Sequence, residues 1–384
     1  MSIYLDSNAT TRIHPEVIDA MMPYLTEHWQ IPSGRYASAA RVREAVDLAR
    51  NEVADLIGAA PEEILFTSGG TESNNTALKS LAREVGRTHS KIIISAIEHR
   101  AVSRPVGAMG AVGFEVEKAA VDADGRVEPA GFREAVDGAR PGFASVMWAN
   151  DETGVLQPLA EIAAIVKGAN WYLHSDAVAA VGRVAVRVDE VPVDFLSLSA
   201  HKIHGPKGIG ALFIRKGTPF EPMVRGCGAE NGRRGGTENV ASIVGFGKAA
   251  ALAKAALERG EDGRLRALRD RFEEAVERGL GTGPDRVQWN GSREHRTPTV
   301  ANGSVPGLLA ADLIPALDAA GVECSGCLGE STGKGQDCHV LKAMGFEPDR
   351  VLGSLRFSLS TFNTEEEIDE AASRVVATVR RLRG

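Results

Sequence analysis

Short, largely apolar runs at 64–67, 92–95, 145–149, 171–173, 194–198 and 210–214 are separated along the chain by longer stretches in which apolar residues recur at helical spacing. The clearest of these stretches is 39–56, where Val42, Ala45, Val46, Leu48, Ala49 and Val53 fall mostly on one helical face; a second is 159–167. The alternation predicts an α/β fold built on an open, mostly parallel sheet. Helical patterns at 249–259 and 264–276 follow, then an alternating run at 354–360 that reads as a half-buried strand. Thr364 and Glu367 are spaced as a capping box for a terminal helix whose arginines gather near its C-terminal end.

Polar chemistry clusters where the apolar runs stop. After 64–67 comes Ser68-Gly69-Gly70-Thr71-Glu72-Ser73-Asn74-Asn75, a turn into a helix whose glycines, hydroxyls and free N–H groups suit a phosphate. It matches neither a Walker loop nor a dinucleotide fingerprint. Glu98-His99, Asn150-Asp151-Glu152-Thr153-Gly154 and His174-Ser175-Asp176 stand at the ends of other runs, which is the ligand-binding edge of an open α/β sheet. Lys202, in Ser199-Ala200-His201-Lys202, is held between two strand-like runs; partial desolvation there lowers its proton affinity and makes the amine a nucleophile toward carbonyl groups. The glycine-rich tract 224–239 carries Arg233, Arg234 and Thr237, as a loop reaching toward an anionic group would. Asp6 to Thr11 predicts a tight N-terminal turn.

Composition narrows the function classes. A net charge of −7 over 384 residues argues against direct nucleic-acid binding, which wants a basic surface. No apolar run reads as long enough to span a bilayer, and the N-terminus carries no signal pattern, so a cytoplasmic protein away from membranes is expected. Four cysteines, Cys227, Cys324, Cys327 and Cys338, are too few for a disulfide framework, though three of them cluster.

Taken in order, Tyr4-Leu5-Asp6 with Ala9-Thr10-Thr11, the Gly69-to-Asn75 turn, Glu98-His99, Glu152-Thr153-Gly154, Asp176-Ala177-Val178, Ser199-Ala200-His201-Lys202, Arg234-Gly235-Gly236-Thr237-Glu238-Asn239 and the 338–345 segment resemble the pyridoxal-phosphate-dependent cysteine desulfurases over essentially the whole chain. The resemblance implies an aminotransferase-like fold: a large cofactor domain at 16–259, a small domain from 1–15 and 260–384 carrying the cysteine loop, and a homodimer. It implies pyridoxal 5′-phosphate on Lys202, Asp176 at the pyridine nitrogen, and His99 stacked on the ring. Gly70, Thr71, Ser199 and His201 would line the phosphate site, with Thr237 reaching it from the neighbouring subunit, and Asp151 would lie beside the ring hydroxyl. Asn8, Asp151 and Arg356 would bind L-cysteine, Arg356 clamping its carboxylate through a bidentate pair.

Departures from the pattern bear on rate and affinity: Asp151 replaces a usual asparagine, Ala179 a glutamine, Gly70 an alanine and Gly235 a serine. Counting from both flanks places Cys327 nearest the sulfur-accepting nucleophile, with Cys324 the runner-up and Cys338 a structural or resolving thiol. Gly326, Gly329, Gly333 and Gly335 would permit that loop to move. A zinc site from Cys324, Cys327, Cys338 and His339 is an alternative reading. The reaction implied converts L-cysteine to L-alanine, with sulfur passing to Cys327 and then to a thiol or a sulfur-acceptor protein; the loop is similar to that of desulfurases serving DNA phosphorothioation. A selenocysteine lyase, a C–S lyase without an enzyme persulfide, and a degenerate dimeric scaffold are the competing readings.

Overall fold

A computed structural model describes residues 2–86, 90–136, 138, 140–283, 286–327 and 338–384. Gly329, Gly333 and Gly335, named above for loop movement, lie outside the described residues. The strands are β1 (Ile3–Tyr4), β2 (Ile64–Thr67), β3 (Lys91–Ser95), β4 (Glu115–Ala119), β5 (Gly142–Ser145), β6 (Tyr172–Asp176), β7 (Phe195–Ser199), β8 (Gly210–Ile214), β9 (Gln288–Trp289), β10 (Val300–Ser304), β11 (Val322–Glu323), β12 (Ser325–Gly326) and β13 (Ser354–Ser358). The helices are α1 (Pro15–Thr26), α2 (Ala37–Ile57), α3 (Gly70–Val85), α4 (Arg100–Ala111), α5 (Pro129–Ala135), α6 (Leu159–Gly168), α7 (Val240–Glu258), α8 (Glu261–Leu280), α9 (Ala310–Ala319), α10 (His339–Ala343), α11 (Pro348–Leu352) and α12 (Glu365–Arg383).

The main sheet runs β2-β8-β7-β6-β5-β3-β4. β4, β3, β5, β6 and β7 are parallel, while β8 is antiparallel to both of its neighbours. This is the α/β fold with a mostly parallel sheet that the pattern predicts. Successive side chains of a strand point to opposite faces, and here both faces are covered. Phe66, Ile93, Leu173, Leu196 and Phe213 enter one core with α2, α6 and α7; Leu65, Ile92, Ile94, Phe195 and Leu212 enter another with α3 and α4. Burial on both sides is why these strands read as unbroken apolar runs. A further core gathers Ile3 and Leu5 with residues of α8, α9, α12, β10 and β13.

Several expectations are corrected. The 249–259 helix begins at Val240, and its continuation α7 is long and apolar enough by length and composition to cross a membrane, contrary to the sequence reading. It packs along α1 and α2, with Phe246, Ala249 and Ala250 in the core. β13 is buried along its whole length, between β10 and β12, and is not half-exposed. The 145–149 run leaves regular strand at Ser145, although Val146 and Trp148 still donate to His174 O and Asp176 O.

Candidate active site

Five strands of the main sheet deliver one residue group each to the same edge. β2 leads to Gly69 and Gly70, where α3 begins; β3 leads to Glu98 and His99; β5 leads through Met147 to Asp151. β6 ends on Asp176, and β7 ends on Ser199, followed by a 3-10 turn, Ala200–Lys202. Together they line a cavity of about 250 Å³ whose wall includes Gly70, Thr71, His99, Asp151, Asp176, Ser199, His201 and Lys202. A second cavity of about 340 Å³ shares Gly70, Thr71, Ser199 and His201 with it and adds Lys207.

Lys202 donates through Nζ to Asn8 O and, at 3.0 Å, to Ala9 O. Burial, reinforced by the nearby Arg183 cation, brings its pKa down to about 8, against the pull of Asp151 and Asp176. Asp176 accepts at Oδ2 from Asn74 Nδ2 (2.6 Å) and at Oδ1 from Val178 N (3.0 Å). Burial raises the Asp176 pKa despite His99 and these donors. His99 accepts at Nδ1 from Ala101 N (3.0 Å) as the N-cap of α4, which leaves its proton on Nε2 when the ring is neutral. Burial works to raise Asp151 too, but His99, Arg356 and Lys202 hold it below the usual carboxylate range. His201, lowered to about 4 by burial and by Lys202 and Lys207, is neutral at pH 7.

The edge fits a phosphate-bearing cofactor. Thr71 and the first turn of α3 face the second cavity with Ser199, His201 and Lys207, a set of hydroxyl, N–H and ammonium donors at a helix N-terminus. Gly70 lies close under Val178: a Cβ there would come 2.7 Å from Val178 Cγ2, which gives a physical reason for glycine in place of alanine. Asn74 Oδ1 is buried beside Asp176 without a hydrogen-bond partner among the described residues.

Arg356 does not line the cavity. It donates to Asp151 O (3.2 Å), Glu152 Oε1 (3.1 Å) and Asp6 Oδ1 (3.1 Å), while its buried Nε has no hydrogen-bond partner among the described residues. Burial opposes its charge, but Glu152, Asp6 and Asp151 raise its pKa further. Asn8 donates through Nδ2 to Asp151 O and so joins Arg356 to Lys202. Thr237 is exposed and outside the cavity of its own chain. The adjacent cations of the 224–239 loop, read as reaching toward an anionic group, are bound within the chain: Arg233 donates to Glu62 O and Ile64 O, and Arg234 pairs with Glu72 at 3.0 Å. Glu230 of that loop is buried against Arg50 and Phe66 N, and so pins it.

Cys327 and Cys338 are bonded to each other as a disulfide, and neither lines the cavity. Cys324 is a free thiol whose pKa burial and Asp6 push up to about 12, with Arg356 pulling the other way. His339 Nε2 lies 3.0 Å from Glu98 O, so the four-ligand zinc arrangement is not assembled. Two residues to which the sequence analysis gave no role belong to the site: Arg183, which it did not name, and Glu98, which it named only beside His99. Arg183 is buried and donates to Ser7 O (3.1 Å), Ala179 O (3.2 Å) and Asn8 Oδ1. Glu98, raised to about 8 by burial, accepts from Ser95 Oγ and Met147 N beneath His99. The only signal for Arg183 was a cation seven residues beyond Asp176 in an otherwise small, apolar stretch.

Known proteins resemble the chain over nearly its whole length. A cysteine desulfurase IscS of Dictyoglomus turgidum is 40% identical over 381 residues, covering 99% of this chain and 95% of the relative. The solved structure of a NifS-like protein superposes with a TM-score of 0.92 at 33% identity, covering 99% of this chain and all of that one. That of SspA in complex with cysteine does so at 0.82 and 28% identity, covering 95% of this chain and 100% of that chain. The aminotransferase class-V model matches residues 3–371, and the chain belongs to that family.

Proposed function

We propose that the protein is a pyridoxal 5′-phosphate-dependent cysteine desulfurase, converting L-cysteine to L-alanine and taking the sulfur onto Cys327 before passing it to a thiol or an acceptor protein. The observation that carries the reading is Lys202: an amine brought close to neutrality in a cavity that also holds Asp176 and His99. The near full-length similarity to a cysteine desulfurase and to a protein solved with cysteine supports the substrate.

When bound, the cofactor supplies an aldehyde that condenses with amines and a ring that accepts an electron pair from the substrate carbon. Lys202 would hold it and, once released, take the proton from the substrate Cα; a pKa of about 8 leaves part of the amine neutral at physiological pH. Asp176 would accept the pyridine N–H, since a facing cation offsets the burial that now raises its pKa. His99 would lie against the ring, with Nδ1 fixed by Ala101 N. Thr71, Ser199 and His201 would hold the phosphate over Gly70. Arg356 would take the substrate carboxylate through its unpartnered Nε and by exchanging one of its present acceptors, with Asn8 and Asp151 placing it.

A homodimer accords with the apolar side chains of Ile18, Met22, Leu25, Trp29, Ile31 and Tyr36 exposed near the N-terminus and with the exposed Thr237, which would serve the neighbouring subunit's phosphate. We take 16–259 as the cofactor domain and 1–15 with 260–384 as the smaller one. Cys327 acts only after its disulfide is opened, so thiol pretreatment should be required for turnover. The test uses reduced holoenzyme and sulfur-labelled L-cysteine, alkylated within the first turnover and mapped by peptide mass. Labelled persulfide on Cys327 at the earliest times is expected, with alanine equal to persulfide plus released sulfide, and no labelled persulfide in Cys327→Ser. Label on Cys324 alone, or sulfide release undiminished in Cys327→Ser, would overturn the assignment.

A further inference from the structure

Two of the three clustered cysteines are brought into bonding contact, and the reaction proposed above uses only one of them. Cys327 and Cys338 have Cα atoms 5.1 Å apart, inside the span a disulfide bridges. Both are buried, in a cluster with Ile97, Met147, Val340, Leu341 and Met344. Met147 also lines the cofactor cavity, so the cluster that holds the pair is part of the cavity wall. The other thiols are placed differently. Cys227 is exposed on the 224–239 loop, and Cys324 packs beside the core of α8, α9 and α12 with its thiol held protonated.

We propose that Cys338 is the resolving thiol for sulfur carried on Cys327, so that the protein itself can discharge a persulfide as free sulfide. The inference rests on Cys327 as the sulfur acceptor. Cys338 Sγ, as thiolate, attacks Cys327 Sγ; the Cys327–Cys338 bond forms and the bond from Cys327 Sγ to the outer sulfur breaks. The electron pair leaves with the outer sulfur as hydrosulfide, and the Cys338 proton passes to the buffer. The two cysteines are oxidised to the disulfide, and the sulfane sulfur is reduced to sulfide. An external thiol or dithiol, itself oxidised to a disulfide, must then reopen the pair before the next cycle. In-line attack needs the two sulfurs in reach of one another, which their shared buried cluster provides without any other group moving between them.

The resulting protein has two sulfur outlets. An acceptor thiol that reaches the persulfide first carries sulfur away; otherwise Cys338 releases it as sulfide and leaves the enzyme locked until reductant arrives. Cys324 cannot substitute readily, because it packs beside the core of α8, α9 and α12, whereas Cys338 is the thiol brought into bonding contact with Cys327.

The test is a single turnover under anaerobic conditions. Holoenzyme is reduced with dithiothreitol, freed of it, and mixed with one equivalent of labelled L-cysteine per protomer, so that no oxygen or excess thiol can make or break the pair. Wild type should release labelled sulfide and yield a disulfide-linked peptide pair joining Cys327 to Cys338. Cys338→Ser should release roughly tenfold less sulfide in the same interval and retain the label as a persulfide on Cys327. Cys338→Ala gives the same reading if serine disturbs the buried cluster, and the linked peptide in wild type needs no variant. Sulfide release undiminished in Cys338→Ser and Cys338→Ala, or wild type whose persulfide persists with no 327–338 link, would overturn the proposal while leaving the desulfurase reading intact. Alanine and sulfide formed equally well by Cys327→Ser would overturn both.

Discussion

Replacing Arg183 by methionine separates two effects that the site now combines. The guanidinium is 6% exposed and no carboxylate pairs with it among the described residues. Burial, with Arg356 adding repulsion, brings its pKa down to about 10, which corresponds to roughly 3 kcal/mol against the charged form. Against this stand three hydrogen bonds from a charged donor, to Ser7 O, Ala179 O and Asn8 Oδ1, each contributing about 1.5–3 kcal/mol. The bonds win. Arg183→Met should destabilise the fold by about 1.5–6 kcal/mol, the contribution of the three bonds less the cost of burying the charge. The same change acts on Lys202 in a way that a purely structural role would not. Arg183 is the largest cause after burial of the lowered Lys202 pKa, so removing it should raise the midpoint above about 8, though burial keeps it below the ordinary value of 10.5. Each unit of rise leaves about tenfold less neutral amine near pH 7. The assay is the rate at which cofactor-free protein captures pyridoxal phosphate, followed by absorbance from mildly acidic to alkaline pH, with Arg183→Lys as the charge-retaining control. Stability gives an independent check. With a folded pKa of about 8 and an unfolded one near 10.5, protonated Lys202 costs the wild-type fold below about pH 8, and that cost fades as pH rises from about 8 to 10.5. The alkaline gain should shrink in Arg183→Met. A capture midpoint that stays at about 8 in a folded Arg183→Met protein would refute the reasoning.

Arg356→Lys keeps a charge but cannot serve Asp151 O, Glu152 and Asp6 at once, so cysteine affinity, read from the spectral change of the holoenzyme, should fall roughly tenfold or more while cofactor retention holds; unchanged cysteine affinity would remove the carboxylate clamp. Gly70→Ala should cost about 1–3 kcal/mol by overpacking against Val178, and Val178→Ala in the same chain should restore part of it in chemical denaturation. Losses that simply add would mean that the close approach to Val178 is not what limits residue 70.

The pattern of apolar runs located the main sheet because its strands are buried on both faces, and 64–67 and 210–214 coincide with β2 and β8. The start of α7 was illegible for a packing reason. Gly245 and Gly247 look like interruptions of a helix, but a Cβ at Gly247 would lie 2.5 Å from Ala49 Cα and one at Gly245 would lie 2.6 Å from Met21 Sδ. The glycines are where α7 presses against α2 and α1, so poor local propensity is overruled by tertiary contact. Residues at strand ends announced most of the cavity wall: Lys202, Asp176, His99 and Thr71 were each identifiable before any fold was at hand. What sequence could not convey was pairing at a distance. The joining of Cys327 to Cys338, and the burial of Arg183 under Ser7 and Asn8, depend on which segments meet in space, and single residues carry no mark of it.

The N-terminal segment explains why the cavity and the C-terminal half belong to one folding problem. β1 pairs with β11, which sets Ile3 and Leu5 in the core of α8, α9 and α12. The turn that follows, closed by Ala9 N to Asp6 O, brings Asn8 across to the main sheet. There every polar group of Asn8 is used: N donates to Ser358 Oγ on β13, Nδ2 donates to Asp151 O, and Oδ1 and O accept from Arg183 and Lys202. Since Arg356 on β13 binds the same Asp151 O and also Asp6, a shift of β13 relative to the main sheet would break contacts at both ends of this turn. Buried polar networks are costly when partly satisfied, so the turn penalises intermediate positions between the two cores. The electrostatic setting of Lys202 follows from the same arrangement. Arg183 and Arg356 lower its proton affinity while Asp151 and Asp176 raise it, and three of these four groups are held in place by the backbone or side chain of residues 6–8 or by Asp151 O itself. Burial is the largest cause of the lowered Lys202 pKa, and assembly of the C-terminal half onto the sheet fixes the charges that adjust it, so the reactive lysine is complete only when that assembly is.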